Sequence, residues 1–319
     1  MARSRDPKEL VEAAIGGDRA AVARLLSLVE RGGAGARATG ALTYPRGGAA
    51  YTVGITGAPG AGKSTLTNRL IEVVRGTGVE VGVLAIDPSS PFTGGAILGD
   101  RVRMQDHALD PGVFIRSMAT RGHLGGLSLA TPQAIRVLDA AGLPWVLIET
   151  VGVGQVEVEI AGSADTTVVV VNPGWGDSVQ ANKAGLLEIA DVFVINKADR
   201  SGVDETRRDL EQMLDLSDLP HDAWRAPIVP TVGSTGEGVP ELWEAVLSHR
   251  AHAEQSGQLA ERRSFRSAEE LREIVTNRLR ERARTLCSGD RWDELSADVE
   301  QQRTDPWTAA DEMLEGIDA

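Results

Sequence analysis

The sequence predicts an α/β fold: a mostly parallel sheet flanked by helices, with an N-terminal helical extension and a C-terminal helical arm. Three observations predict it. Seven short apolar segments, most of them β-branched, recur between residues 51 and 232, as expected of strands buried on both faces. Helical stretches separate them and can supply the right-handed crossovers that parallel strands need. No strand candidate lies beyond residue 250, so the remainder reads as helix.

Taken in order, residues 6–31 read as helix, because Leu10, Val11, Ala14, Val22, Leu25, Leu26 and Val29 recur at helical spacing. Arg31-Gly-Gly-Ala-Gly ends the pattern, and a glycine-rich stretch runs to about residue 49. Strands are expected at Tyr51–Thr56, Val79–Ile86, Val113–Ser117, Trp145–Glu149, Thr166–Val171, Val192–Asn196 and Ile228–Val232. After His249 the pattern changes. Residues 251–263 are polar, and 266–286 predict one amphipathic helix with Leu271, Ile274, Val275, Leu279 and Leu286 on one face. Two shorter helical pieces follow Gly289. The expected organisation is an extension over 1–44, a main domain over 45–250, and an arm with an acidic tail over 251–319.

Composition bounds the function. The 319 residues include 33 Lys+Arg and 46 Asp+Glu, a net charge of −13. That balance argues against a nucleic-acid partner, which needs a basic footprint. Cys287 is the one cysteine, which excludes an intramolecular disulfide and argues against a Cys-based zinc site. The opening MARSRDPKEL has no apolar h-region, and no apolar run reaches about 18 residues. A cytoplasmic protein without a membrane partner is expected. Residues 262–284 hold eight basic and four acidic side chains, whereas 285–319 hold two and ten. The simple expectation is attraction between that basic helix and the acidic tail, within one arm or across a dimer.

Gly57-Ala-Pro-Gly-Ala-Gly-Lys-Ser64 fits G-x-x-x-x-G-K-[ST] in full, between a strand and a helical run. It predicts a P-loop NTPase. The backbone N–H groups of Gly57, Ala58, Pro59, Gly60, Ala61, Gly62, Lys63, Ser64 and Thr65, the proline excepted, can converge on phosphates. Lys63 would reach the β- and γ-phosphates, and the Ser64 hydroxyl would ligate Mg²⁺. Asn196-Lys-Ala-Asp199 ends a strand and resembles the guanine-recognition motif of GTPases. The Asp199 carboxylate can accept from guanine N1–H and N2–H₂, a donor pair adenine lacks. Lys197 can lie along the base plane, and Asn196 can tie this loop to the phosphate loop. Thr231-Val-Gly-Ser-Thr-Gly-Glu-Gly238 resembles the further guanine loop, with Gly233 facing guanine O6. Glu149-Thr-Val-Gly152 stands where GTPases carry D-x-x-G. Mg²⁺ takes hard oxygen ligands, so Ser64, Asp87, Asp100 and Glu149 are the candidate metal residues. Gln155 is a candidate for orienting the attacking water. Residues 152–155 and 173–183, the latter with Asp177 and Lys183, look like switch loops, whose glycines permit large backbone changes. Arg101, Arg103, Arg116 and Arg121 are candidate phosphate or partner contacts. The five histidines form no metal cluster, and His123 reads as structural. There is no D-x-H-x-x-G cobalamin loop, so the chain itself is expected to bind no cobalamin.

Six segments in order resemble the MeaB/MMAA/ArgK group of P-loop GTPases, over about residues 6–286. They are Gly-Ala-Pro-Gly-Ala-Gly-Lys-Ser-Thr, Asp-Pro-Ser-Ser, Gly-Ala-Ile-Leu-Gly-Asp-Arg-Val-Arg-Met, Ile-Arg-Ser-Met-Ala-Thr-Arg-Gly, Glu-Thr-Val-Gly-Val-Gly-Gln and Asn-Lys-Ala-Asp. The resemblance implies a chaperone of adenosylcobalamin-dependent acyl-CoA mutases, chiefly methylmalonyl-CoA mutase, with the adenosyltransferase as a further partner. It implies GTP/GDP and Mg²⁺ as cofactors, slow intrinsic GTPase turnover, and a homodimer formed through the arm. The catalytic roles fall on Lys63, Glu149 and Gln155. Metal and switch roles fall on Ser64, Asp87, Asp100, Glu149 and the 173–183 loop, whose Gly-Trp-Gly-Asp-Ser-Val-Gln-Ala-Asn departs from other members. Two alternatives stand beside it. A metal-delivery GTPase for a nickel enzyme usually needs a Cys/His cluster, and a kinase, the older ArgK label, sits poorly with a guanine motif.

Overall fold

Each apolar run of the sequence forms a strand. A computed structural model describes residues 6–87, 107, 109–119, 126–150, 162–174, 189–216 and 223–315. The strands are β1 (Tyr51–Gly57), β2 (Val81–Asp87), β3 (Val113–Ala119), β4 (Trp145–Thr150), β5 (Thr166–Val171), β6 (Val192–Asn196) and β7 (Ile228–Thr231). They form one sheet in the order β3-β2-β4-β1-β5-β6-β7, and every pairing is parallel. Ten α-helices lie within the described residues: α1 (Pro7–Ile15), α2 (Arg19–Arg31), α3 (Gly33–Thr43), α4 (Lys63–Gly76), α5 (Gly126–Ala140), α6 (Val203–Asp215), α7 (Val239–Ser256), α8 (Gln258–Leu286), α9 (Asp290–Glu300) and α10 (Pro306–Leu314).

Burial on both faces explains why the strands read as unbroken apolar runs. Trp145 and Leu147 of β4 face a core built with Leu66, Leu70, Leu242 and Val246 of α4 and α7. Val146 and Ile148, one residue out of phase, face Leu25, Leu26, Val137 and Leu138 of α2 and α5. Val169, Phe193 and Ile195 pack with Leu210 and Leu214 of α6.

The N-terminal region differs from the single helix and glycine-rich coil that periodicity predicts. Gly17 takes φ +90, and the Asp18 side chain accepts from the N–H groups of Ala20 and Ala21. The chain therefore stops and restarts as α2. Residues 33–43 are helical despite three glycines. Small residues serve close approach there: a Cβ on Gly35 would lie 3.0 Å from Leu28. Thr39 and Thr43 hydroxyls donate back to the carbonyls of Gly35 and Thr39, so packing against α2 overrides a weak local propensity.

Two compact units result, Met1–Arg266 and Ser267–Ala319. The first turns of α8 thus belong with the sheet. Arg262 donates to both carboxylate oxygens of Asp191, at 2.8 and 2.9 Å. Arg263 donates to Asp165 at 2.7 Å, and Arg266 also meets Asp165. The Thr52 and Thr167 N–H groups cap the same two carboxylates, at 3.0 and 2.8 Å. Fully buried His249 shares a 2.8 Å hydrogen bond with Thr166 through Nδ1. Its Nε2 lies 3.1 Å from Asp191, poorly aligned for a hydrogen bond. Burial alone would push both carboxyls up, but the surrounding donors outweigh it. Arg263 and Arg266 hold Asp165 below the usual carboxylate range, and His249 and Arg262 hold Asp191 there. Tyr51, which bonds Thr166 at 2.8 Å, is pushed up to about 12, chiefly by burial.

In the second unit α9 packs on α10, with Leu295 and Ala309 buried. Arg291 pairs with Glu312 at 2.6 Å. The basic-helix expectation is corrected in part, because Arg262, Arg263 and Arg266 engage Asp191 and Asp165 rather than the acidic tail. Leu271, Val275 and Leu279 of the predicted apolar face are exposed. Among the described residues no helix is long and apolar enough to cross a membrane.

Candidate functional site

The motifs gather at the carboxyl ends of the central strands, where ligands bind in open parallel sheets. β1 leads into the phosphate loop, β4 into Glu149, β6 into Asn196 and β7 toward Gly233. Pairing of Ile55 with Glu149 brings the loop and the carboxylate together, although 85 residues separate Ser64 from Glu149.

The loop needs its glycines for two separate reasons. Gly57 has φ +135, and a Cβ there would lie 2.0 Å from the Val170 carbonyl oxygen of β5. Gly62 has φ +88, and its Cβ would meet Asn196 Nδ2 at 2.5 Å. A side chain at either position would fill the space the loop leaves beside its neighbours. α4 starts at Lys63, so its first N–H groups point into the loop. Lys63 is only 6% exposed and donates from Nζ to the Gly57 carbonyl and, at 3.1 Å, to that of Ala58. Ser64 Oγ donates to Glu149 Oε1 at 2.5 Å, with Glu149 1% exposed. Two hard oxygen groups thus sit together at the start of α4. That donor set fits Mg²⁺, and the loop fits the phosphates of GTP or GDP.

Asn196 joins three segments. Its Nδ2 donates to the Ala61 carbonyl at 2.7 Å. Its Oδ1 accepts from the Gly233 N–H at 3.0 Å and from Thr231 Oγ1 at 3.2 Å. Lys197 holds the uncommon left-handed backbone, φ 61, and donates from Nζ to the Gly60 carbonyl at 2.6 Å. The Ala198 N–H bonds the Thr231 carbonyl at 2.9 Å, which braces that turn. Asp199 is exposed, as is Thr65. Gly233 lies where a Cβ would crowd Asn196 Oδ1, at 3.2 Å. Sequence reasoning missed Thr231 as a brace of Asn196; its place beside Asn196 in the β6–β7 register is the signal that finds it.

Gly57, Ala58, Pro59, Gly60, Ala61, Gly62, Lys63, Ser64, Thr65, Glu149, Asn196, Lys197, Asp199 and Gly233 therefore occupy one edge of the sheet. Asp87 ends β2 at that edge, though its side chain lies outside the described set. Asp100, Gly152 and Gln155 lie outside the described residues, as do His123, Arg101, Arg103, Arg121, Asp177 and Lys183. Arg116, a candidate phosphate contact, instead turns to α2. It pairs with Glu30 at 2.6 Å and meets Ser27 at 3.2 Å.

Residues 22–287 match the family model described as methylmalonyl Co-A mutase-associated GTPase MeaB. A protein of Pyrococcus horikoshii named as a GTPase is 52% identical over 97% of this chain and 98% of its own. GTPase ArgK of Escherichia coli is 37% identical over 80% of each chain. The mouse mitochondrial methylmalonic aciduria type A homolog is 37% identical over 67% of this chain and 52% of its own. A crystal structure of a LAO/AO transport system kinase superposes over 100% of both chains, with a TM-score of 0.73 and 26% identity. With a complete phosphate loop, a guanine-type motif and a parallel sheet behind them, the chain belongs to the MeaB family of P-loop GTPases.

Proposed function

We propose that this GTPase is a chaperone that gates cofactor loading and protects or reactivates an adenosylcobalamin-dependent acyl-CoA mutase. Methylmalonyl-CoA mutase is the expected partner and its adenosyltransferase a further one. The observation that carries the nucleotide half is the 2.5 Å contact of Ser64 with Glu149 beside a phosphate loop tied through Asn196 to the guanine motif. The family description, which names the mutase, and the name of the mouse relative support the partner. The proposed organisation is a nucleotide domain over 45–250, an extension before it and a dimerisation arm after it. The exposed Leu271, Val275 and Leu279 support a role for the arm in self-association. The chain is proposed to hold no cobalamin itself and to act in the cytoplasm, without membrane or nucleic acid.

In the proposed reaction water attacks the γ-phosphorus in line, the bond to the β–γ bridging oxygen breaks, and GDP and phosphate leave. Lys63 exchanges its carbonyl contacts for β- and γ-phosphate oxygens. The loop N–H groups are already oriented, so little reorganisation accompanies charge development. Ser64 and Glu149 would hold Mg²⁺, with Asp87 and Asp100 completing the site directly or through water. When bound, the ion neutralises charge on the β- and γ-phosphates. Glu149 and Gln155 complete the proposed catalytic set, Gln155 by orienting the water, and Gly152 senses the γ-phosphate. Asp199 reads guanine N1–H and N2–H₂, and Gly233 faces O6.

The test compares GTP with ATP binding, then follows phosphate release with and without the mutase. GTP should be preferred by about a hundredfold or more, with slow release that the mutase accelerates. A preference for ATP, or a phosphorylated basic amino acid, would favour the kinase reading. Stoichiometric nickel binding would favour metal delivery. A mutase that neither binds the chain nor alters hydrolysis would remove the chaperone half.

A further inference from the structure

Asn172 follows β5 directly and belongs to none of the recognised motifs. The register places it well. Val170 pairs with Gly57 of β1, and Val171 pairs with Ile195 of β6. One residue further on, Asn172 stands level with Asn196, between the phosphate loop and the guanine motif. Its Nδ2 donates to the Gly60 carbonyl at 3.4 Å. The same oxygen accepts from Lys197 Nζ at 2.6 Å. Two side chains from neighbouring strands thus converge on one carbonyl. The other end of the carboxamide is different: Oδ1 is buried and accepts no hydrogen bond among the described residues.

A buried acceptor without a donor is costly, and in a native structure such a group calls for a reason. The neighbouring chemistry supplies one. The Lys197 ammonium carries three N–H donors, one of which is on Gly60. A single acceptor leaves a four-carbon chain free to swing about it. A second fixed acceptor beside the first would hold the stem along one line. Phosphates offer Asn172 Oδ1 no donor, being acceptors themselves.

We infer that Asn172 is a positioning residue for the nucleotide. When the base draws the Lys197 stem onto its face, the ammonium takes Asn172 Oδ1 as a second acceptor and keeps Gly60 as the first. Asn172 thereby slows nucleotide release through Lys197, without touching the reacting phosphate. This rests on the guanine-nucleotide reading of the same site.

The experiment is release of radiolabelled GDP from the full-length chain with Mg²⁺, for the wild type, Asn172→Ala, Asn172→Asp, Lys197→Ala and the Asn172→Ala/Lys197→Ala double variant. Melting is recorded on each sample. Asn172→Ala should speed release about tenfold, the effect of losing one charge-assisted hydrogen bond. Asn172→Asp keeps an acceptor and charges it, but loses the Nδ2 donor to Gly60, so its release should be clearly slower than that of Asn172→Ala without fully matching the wild type. In the Lys197→Ala background Asn172→Ala should add nothing, because the pair acts as one unit. An equal acceleration in both backgrounds would overturn the inference, since Asn172 would then act on the loop by itself. So would unchanged release in the single variant, or an Asn172→Asp variant as fast as Asn172→Ala. A wild type that retains no GDP would instead defeat the nucleotide reading itself, a result distinct from all of these.

Discussion

At the amino edge of the sheet Asp165 is met by Arg263, Arg266 and the Thr52 N–H, and Asp191 by Arg262, His249 and the Thr167 N–H. At the carboxyl edge of the sheet Lys63 rests on two carbonyls, and Asn172 Oδ1 accepts no hydrogen bond among the described residues. Both edges bury charged and polar side chains. At the lower edge every carboxylate oxygen is met by the chain's own arginines and N–H groups, so the acids there need no ligand. At the upper edge the groups are held in place but matched to something the chain does not contain. Stability therefore resides below and chemistry above, and substitutions should separate the two.

The largest effect belongs above. Lys63→Ala should cut GTP hydrolysis about a thousandfold, the scale for losing one preorganised donor to developing negative charge. The unfolding midpoint should hardly move. Phosphate release in single turnover and a melting curve on the same sample check both halves. A variant that melts early would mean that Lys63 also holds the loop together, and the division between the edges would weaken.

Asp191→Ala should do the reverse. It leaves Arg262 without its counter-charge and the buried Thr167 N–H without its acceptor, which together cost about 2 kcal/mol. Urea unfolding should show that loss, while hydrolysis per folded molecule stays near the wild type. Full stability in this variant would show that the remaining donors reorganise around water. Arg262 is the partner most able to do so, being 40% exposed.

The two edges also differ in how far the sequence reveals them. The strands are legible because burial on both faces makes them continuous apolar runs. Gly57–Ser64 and Asn196–Asp199 are legible because one ligand imposes residue types at fixed spacing. The lower edge has no such constraint. Asp165 and Arg263 are 98 residues apart, and Thr166 and His249 are 83 apart. Any buried acid could have found any arginine, so charge counting assigned Arg262, Arg263 and Arg266 to the acidic tail instead. Helix α3 was hidden for a different reason: its glycines read as coil until α2 is in place to pack against them. Thr231 opens a motif segment, but its contact with Asn196 comes from the β6–β7 register, and Asn172 lies outside every motif.

Acid should weaken the lower edge. Folding holds the carboxyls of Asp165 and Asp191 below the ordinary 3.8. A lowered folded value contributes stability that is present above about pH 4 and is lost as pH falls below it. The melting midpoint followed from pH 7 to pH 3 should therefore drop below about pH 4. The drop should be shallower in Asp191→Asn, which removes one of the two groups. Equal acid sensitivity in that variant would place the titration elsewhere.

The smallest effect tests whether the upper edge is as sparsely supported as the comparison requires. Asn196 Oδ1 has two donors, the Gly233 N–H and Thr231 Oγ1. Thr231→Val keeps the shape and removes one of them. A neutral hydrogen bond contributes about 1 kcal/mol net, so GTP should bind about fivefold more weakly. Thr231→Ser, which restores the hydroxyl, should recover most of that. Thr231 is buried, so melting of both variants must be compared: a loss of stability with unchanged affinity would make Thr231 a core residue that merely lies beside Asn196. A loss of affinity at constant stability would show that this edge, unlike the lower one, has no redundant donor to spare.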